Sequence, residues 1–141
     1  MATHDVLHGI GVSAGTAAAP AAIVQPAPGV DTTEPGSVDA AGDGARVREA
    51  LATVSARLSE RAANAPEETK AILKATAQLA GDRGLAKAVD KKLKKGLGVT
   101  QAVHDAVEDY AQMLRSLGGY MAERTRDVQD VRDRIVAVLT E

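Results

Sequence analysis

The chain has 141 residues, the size of one domain, and 45% of them are hydrophobic, which is enough for a buried core. Only 1% are aromatic and none is Phe or Trp, so small aliphatic side chains must fill the core, which favours closely packed helices over a β-sandwich. The absence of cysteine excludes disulfides and thiolate chemistry, and a net charge of −2 with interspersed signs offers no basic surface for nucleic acid or membrane.

The N-terminus, MATHDVLHGIG, lacks the basic start and continuous apolar run of a signal peptide, so we expect a soluble, cytoplasmic protein. Residues 6–24 combine two short apolar runs with a glycine-rich turn, which is compatible with a strand, a turn and a strand. The glycine spacing is G-x-G-x-x-x-G, which does not match the dinucleotide-binding motif, and we interpret it as a structural turn. Residues 25–36 hold three prolines and two glycines and are therefore predicted to be a linker.

A first helix is predicted from Ser37, a suitable N-cap, to Ala63. Its apolar residues recur at steps of four, three and four and form one clean stripe: Val47, Leu51, Val54 and Leu58. Such a stripe indicates one face packed against a core.

A second helix is predicted to open at Pro66, because proline suits a first helical position and the following acidic residues favour the positive end of the helix dipole. It ends near Ala80, where Gly81 and Asp82 mark a break, and a short helix then carries Leu85, Val89 and Leu93 up to Gly96. The second helix has two apolar stripes. We assign Leu73, Ala77 and Ala80 to the core and Ile72, Ala75 and Leu79 to a partner.

Thr100 is predicted to cap the next helix, whose stripe runs through Val103, Val107, Tyr110, Leu114 and Leu117 until Gly118 and Gly119 end it. The last helix is predicted from about Tyr120 to Leu139, with Met121, Arg124, Val128, Val131, Ile135 and Val138 on one face. An arginine on an apolar face needs a partner, which is either an internal ion pair between two helices or a docking contact.

These patterns predict an all-α fold, an antiparallel four-helix bundle with one helix broken within residues 66–95, preceded by an N-terminal segment. We predict that residues 1–36 form this strand-like segment and linker, disordered over residues 1 to about 30, and that residues 37–141 form the helical domain.

The residues alone indicate no active site. His4 and His8 have no neighbours at metal-ligand spacing, His104 lies on a helix flank, and no serine has the surroundings of a nucleophile. From the residues alone, the chain is a helical interaction module.

Two segments resemble Enzyme I of the bacterial phosphoenolpyruvate-dependent sugar phosphotransferase system. Residues 8–21, HGIGVSAGTAAAPA, are similar to the start of that family, and residues 119–135, GYMAERTRDVQDVRDRI, resemble its signature Y-[ML]-x-E-R-x-x-D-[IV]-x-D-[IV]. The resemblance implies a parent enzyme, a homodimer, that takes a phosphoryl group from phosphoenolpyruvate, with magnesium, onto a histidine and passes it to the phosphocarrier protein HPr. The family's phosphorylated histidine lies in a T-S-H segment that this sequence lacks, so we expect no catalysis and no cofactor in this chain alone.

The resemblance implies that the chain is the HPr-binding region and assigns the HPr-facing positions to three of the predicted helices. They are Glu67, Glu68, Ala71, Ile72, Ala75, Gln78, Leu79, Asp82, Leu85, Met113, Tyr120, Met121 and Arg124. The sequence departs from the family at Thr76, where histidine is common, and at Lys74 and Arg83, where acidic or neutral residues are common. The alternative to a monomeric docking module is a structural bundle that self-associates through the spare apolar stripe.

Overall fold

The computed structural model describes residues 6–141, and within them six helices and no strand. The helices are α1 (Ala40–Ala63), α2 (Glu67–Ala80), α3 (Arg83–Lys94), α4 (Val99–Leu117), α5 (Gly119–Glu123) and α6 (Thr125–Thr140). The first bent unit is α2–α3 and the second is α5–α6. The all-α class and the break between residues 66 and 95 are therefore confirmed.

One hydrophobic core joins the helices. The predicted stripe of α1 is buried along its whole length, and so are Leu85, Val89 and Leu93 of α3. In α4 three alanines, Ala102, Ala106 and Ala111, are at most 1% exposed. Small side chains at these positions let the neighbouring helices approach closely, which suits a core without Phe or Trp.

The break between α2 and α3 has the predicted cause. The N–H of Gly81 donates to Ala77 O at 3.1 Å and so ends α2. The carboxylate of Asp82 then accepts the N–H of Gly84 at 3.0 Å and begins α3. The hydroxyl of Ser55 in α1 also donates to Ala77 O at 2.9 Å, which ties the end of α2 to the first helix.

The N-terminal segment differs from one expectation. Residues 6–24 form no strand, and apolar side chains such as Leu7, Ile10 and Val12 are more than 90% exposed. A strand needs a second strand to pair its backbone groups, and residues 6–141 supply none. Residues 1–5 lie outside the described residues, and the disorder predicted for residues 1 to about 30 stays a prediction.

Two helix caps also differ from the predictions. Ser37 is not the cap of α1, because Asp39 accepts the N–H of Gly42 at 3.0 Å, while the Ser37 hydroxyl donates to Asp43 at 2.7 Å. Asp39 lies two residues nearer to the helix than Ser37, and its carboxylate is a stronger hydrogen-bond acceptor than a serine hydroxyl.

Thr100 does not cap α4, because it already lies in the first turn of that helix, and the N-cap position is occupied by Gly98. The cap comes from the linker. Glu34 Oε2 accepts both the N–H and the hydroxyl of Thr100 at 2.8 Å. A Cβ at Gly98 would lie 2.7 Å from that same Glu34 oxygen, so glycine makes room for the contact. We call this contact the Glu34 clamp.

The last helix is not continuous as predicted. Arg124 interrupts it between α5 and α6, with φ −74° and ψ −2°. The face predicted for this helix is accordingly divided. Val128, Val131 and Ile135 are at most 1% exposed, whereas Met121, before the break, is 41% exposed.

No helix in residues 6–141 combines the length and the apolar character needed to cross a lipid bilayer.

Candidate functional site

A shallow groove runs between α2 and the α5–α6 joint and reaches the last turns of α4. It consists of two adjoining depressions that share Ala75 and Arg124. The first is lined by Ala75, Gln78, Leu79, Asp82, Tyr110, Leu114, Met121, Arg124 and Val128, and the second by Ala71, Ile72, Ala75, Tyr120, Glu123, Arg124 and Asp127. We refer to both together as the groove.

Most of the sequence-predicted partner positions lie in this groove, although they come from distant parts of the chain. These are Ala71, Ile72, Ala75, Gln78, Leu79, Asp82, Tyr120, Met121 and Arg124. The fold brings them together because α2 packs beside α6, while α5 packs against α4 and α6, so that α2 and α5 line opposite sides of the groove.

Four predicted positions lie elsewhere. Glu67 and Glu68 are exposed on the first turn of α2, and Met113 is 47% exposed on α4, but none of the three lines the groove. The predicted partner contact of Leu85 is corrected by the structure, because only 3% of this residue is exposed. Its spacing with Val89 and Leu93 places it on the inner face of α3, so it stabilises the core and offers no surface to a partner.

The division of α2 into a core stripe and a partner stripe also needs correction. Ala77 and Ala80 are buried and Ile72 is 59% exposed, as expected. However, Leu73 and Leu79 are both partly buried and both pack against the core. The two stripes lie next to each other on the helix, so the core covers part of each, and Ile72 is the large apolar side chain of α2 that the bundle leaves exposed.

Sequence reasoning missed Leu117. It was assigned to the inner stripe of α4, yet it is 63% exposed, more than Met113 or Met121. Gly118 follows with φ +69° and turns the chain away, so no later turn of α4 covers Leu117. The Gly-Gly pair directly after this leucine was the available signal. Leu117 adds to the exposed apolar surface near α5.

Charges of both signs surround the groove. Lys70 Nζ lies 2.8 Å from Glu67 Oε1, which neutralises one of the two acids at the start of α2. Arg124 Nε lies 3.3 Å from Asp127 Oδ2, and the Arg124 guanidinium stands 5.9 Å from the centre of the Tyr120 ring. Arg124 therefore has an ion pair, but with its own bent helix and not with a second helix, and it still lines the groove.

A larger depression, of about 760 Å³, lies at the turn between α1 and α2 and shares only Ile72 with the groove. Its arginines include Arg57 and Arg134, which are already paired with Glu141 and Asp130. None of the predicted positions except Ile72 lines it, so we place the candidate site in the groove.

The residues of the described chain do not fit a magnesium site. Within residues 6–141, no three His, Cys, Asp or Glu side chains lie close enough together to hold a metal ion. His104 is half-buried, and its Nδ1 lies 3.2 Å from the carboxylate of the adjacent Asp105.

The comparisons with known proteins agree on one family. The model of the family described as PEP-utilising enzyme, N-terminal, matches residues 8–124. The chain is 39% identical over 101 residues to a phosphoenolpyruvate-protein phosphotransferase of Streptomyces coelicolor, covering 72% of this chain and 18% of the relative. It is 33% identical over 75 residues to one of Haloferax volcanii, covering 53% of this chain and 13% of that relative. The chain thus spans less than a fifth of the length of these curated relatives.

Two solved structures have a similar fold. One is the N-terminal domain of "Enzyme 1 - Nitrogen", with a TM-score of 0.65 and 27% identity, covering 74% of this chain and 46% of that one. The other is a solution NMR structure of an Enzyme I protein, with the same TM-score of 0.65 and 27% identity, covering 76% and 47%.

Proposed function

The chain belongs to the family of PEP-utilising enzyme N-terminal domains, and from this membership we propose that it is the HPr-docking module of a phosphoenolpyruvate-protein phosphotransferase. In the complete enzyme, a phosphoryl group from phosphoenolpyruvate would pass through a histidine to HPr. The role of this module is to hold HPr in place for that transfer. The transfer chemistry belongs to the rest of the enzyme.

The observation that carries this proposal is the exposed apolar surface of the groove. Ile72, Tyr120 and Met121 are 59%, 69% and 41% exposed, although large apolar side chains of a bundle are normally buried. The carboxylates of Asp82, Glu123 and Asp127 border the same groove. Apolar anchors with a polar, partly acidic rim suit a partner whose docking face combines apolar side chains with basic ones.

An NMR titration tests the proposal directly. When unlabelled HPr from the same organism is added to the ¹⁵N-labelled chain, we expect amide shifts to change in residues 71–82 and 117–124. The amides of Lys91, Lys94 and Lys95 serve as an internal control, because these residues are exposed on the last turn of α3 and just after it and do not line the groove. Unchanged spectra at a large excess of HPr would refute the proposal.

The salt dependence of HPr binding gives a second prediction. Residues 66–85 hold the acids Glu67, Glu68 and Asp82 and the bases Lys70, Lys74 and Arg83, so the net charge along α2 and its break is close to zero. The Lys70–Glu67 pair also screens one acid locally. We therefore expect HPr affinity to fall less than about threefold when ionic strength rises from about 0.05 to 0.3 M, because attraction between net charges contributes little. A loss of tenfold or more in calorimetric titrations would contradict this expectation.

The same exposed side chains favour a second candidate, a bundle that associates with itself through the groove. Sedimentation of the chain without HPr separates the two functions. We expect a monomer at concentrations up to about 100 μM, because the groove is shallow and stable dimers usually bury about 800 Å² on each partner. A dimer that HPr fails to dissociate would favour self-association.

A further inference from the structure

Thr125, the first residue of α6, has a buried hydroxyl without a partner. The residue is 8% exposed, and its Oγ1 makes no hydrogen bond with any of residues 6–141. Two other threonines show what such a hydroxyl normally does in a helix. Thr76 Oγ1 donates to Ile72 O and Thr140 Oγ1 donates to Val136 O, both at 2.9 Å and both four residues back along the helix.

In a continuous helix the acceptor of the Thr125 hydroxyl would be the carbonyl of Met121, which lies four residues back but on the other side of the break at Arg124. At the break, the Arg124 N–H donates to Ala122 O, and the N–H groups of Asp127 and Val128 donate to Arg124 O at 3.1 and 3.3 Å. Thr125 is thus left unsatisfied because the helix bends immediately before it. Burying a hydroxyl without a hydrogen bond is costly, so the bent form is destabilised at this point.

Nothing in the local sequence requires the bend. Sharp helix kinks are usually caused by proline, by glycine or by an inserted side chain, and residues 120–141 contain neither proline nor glycine. The break at Gly81 and Asp82 is different, since both residues have a specific role in it. A continuous helix from Tyr120 onwards is therefore available to this sequence.

The short α5 packs mainly against α4 and only slightly against α6. None of its five residues is buried, and Gly118 before it and Gly119, its first residue, have φ of +69° and +54°. Rotating α5 into line with α6 would move residues that lie across the break from Val128 and Val131, which α6 buries in the core. It would also fix Tyr120 and Met121, which line the groove, on the rigid α6.

We propose that Thr125 is a positioning residue for partner docking: when HPr occupies the groove, α5 and α6 form one continuous helix and the Thr125 hydroxyl donates to Met121 O. This inference rests on the proposed HPr-docking function. The free chain stays bent, and HPr selects the straight form because that form presents Tyr120 and Met121 at fixed positions.

Two variants of the full 141-residue chain test the inference, Thr125→Val and Thr140→Val. Valine has the shape of threonine without the hydroxyl. In Thr125→Val the unsatisfied group of the bent form is gone, so we expect a melting temperature about 2 °C higher and, because the straight form loses its hydrogen bond, HPr binding about fivefold weaker. Thr140 lies at the other end of α6, and its hydroxyl already has an acceptor. The melting temperature of Thr140→Val should therefore not rise, and the HPr affinity of this variant should stay the same.

A structural measurement completes the test. In the unchanged chain, saturating HPr should move the ¹³Cα shift of Arg124, the interrupting residue, towards helical values and slow hydrogen exchange at the Thr125 amide. Equal HPr affinity of Thr125→Val and the unchanged chain, a lower melting temperature of that variant, or an unchanged ¹³Cα shift of Arg124 on binding would each overturn the inference while leaving HPr docking intact. If the unchanged chain did not bind HPr at all, the proposed function would fail, and this inference with it.

Discussion

Replacing Ile72 with aspartate is expected to weaken HPr binding about 100-fold while the bundle stays folded. Ile72 is 59% exposed and lies where α2 borders the groove, so we expect it to be an anchor that HPr buries. Placing a charge in a buried apolar contact removes the anchor and adds the cost of desolvating a carboxylate, and single anchor residues contribute about 2 kcal/mol or more to interfaces. A 100-fold loss corresponds to about 2.7 kcal/mol. Calorimetric titration measures the affinity, and circular dichroism with thermal melting monitors the fold.

Two controls make this experiment specific. Val38→Asp introduces the same charge at a fully exposed apolar residue outside the groove, and it should change neither HPr affinity nor stability. Leu85→Asp places the charge at a residue that is only 3% exposed and should unfold the domain. If the Ile72→Asp variant bound HPr as tightly as the Val38→Asp variant, the groove would not be the docking site.

Removing the Glu34 clamp is expected to have the largest effect on stability among changes outside the core. In Glu34→Ala, the first turn of α4 loses its cap. Thr100, which is 5% exposed, is then left with an unpaired N–H and an unpaired hydroxyl. Loss of a cap costs about 1 kcal/mol and an unsatisfied buried group about 1–3 kcal/mol. We therefore expect the free energy of unfolding, measured in urea, to fall by about 2 kcal/mol.

Coupling between the two partners distinguishes the clamp from a general effect of removing a carboxylate. Glu49→Ala is the matched control, because Glu49 is an exposed glutamate of α1 with no hydrogen bond or ion pair among residues 6–141. It should change the unfolding free energy by less than about 0.5 kcal/mol. Thr100→Val should cost much less in a chain that already carries Glu34→Ala than in the unchanged chain. Additive effects of the two substitutions would contradict a direct contact.

The helices could be predicted from the sequence because periodic apolar residues report on local structure. The stripes of α1 and α3 and the break at Gly81 and Asp82 depend on neighbours within one or two turns, and the structure confirms them. The cap of α4 could not be predicted, because its acceptor, Glu34, is 66 residues away in sequence. Thr100 satisfied the local rule for an N-cap, and only the fold shows that a distant carboxylate fulfils that role.

Most residues of the groove could be predicted from the sequence, but the degree to which each is covered by the core could not. Spacing alone could not show that Leu79 is partly covered, since α2 has two adjacent apolar stripes and tertiary packing decides which of them faces the core. The burial of Leu85, in contrast, follows from its spacing with Val89 and Leu93. The break at Arg124 was unpredictable for a related reason. Residues 120–141 contain neither proline nor glycine, so the sequence offers no local signal for the bend.

The scarcity of aromatic residues has a practical consequence for optical measurements. The chain contains two tyrosines and neither Trp nor Phe, and both tyrosines, Tyr110 and Tyr120, line the groove. Every near-ultraviolet chromophore of the molecule is therefore located where we propose that a partner binds. The natural fluorescence of the chain thus reports on occupancy of that one surface without an attached dye, and a partner that carries no tyrosine or tryptophan would be followed against a dark background.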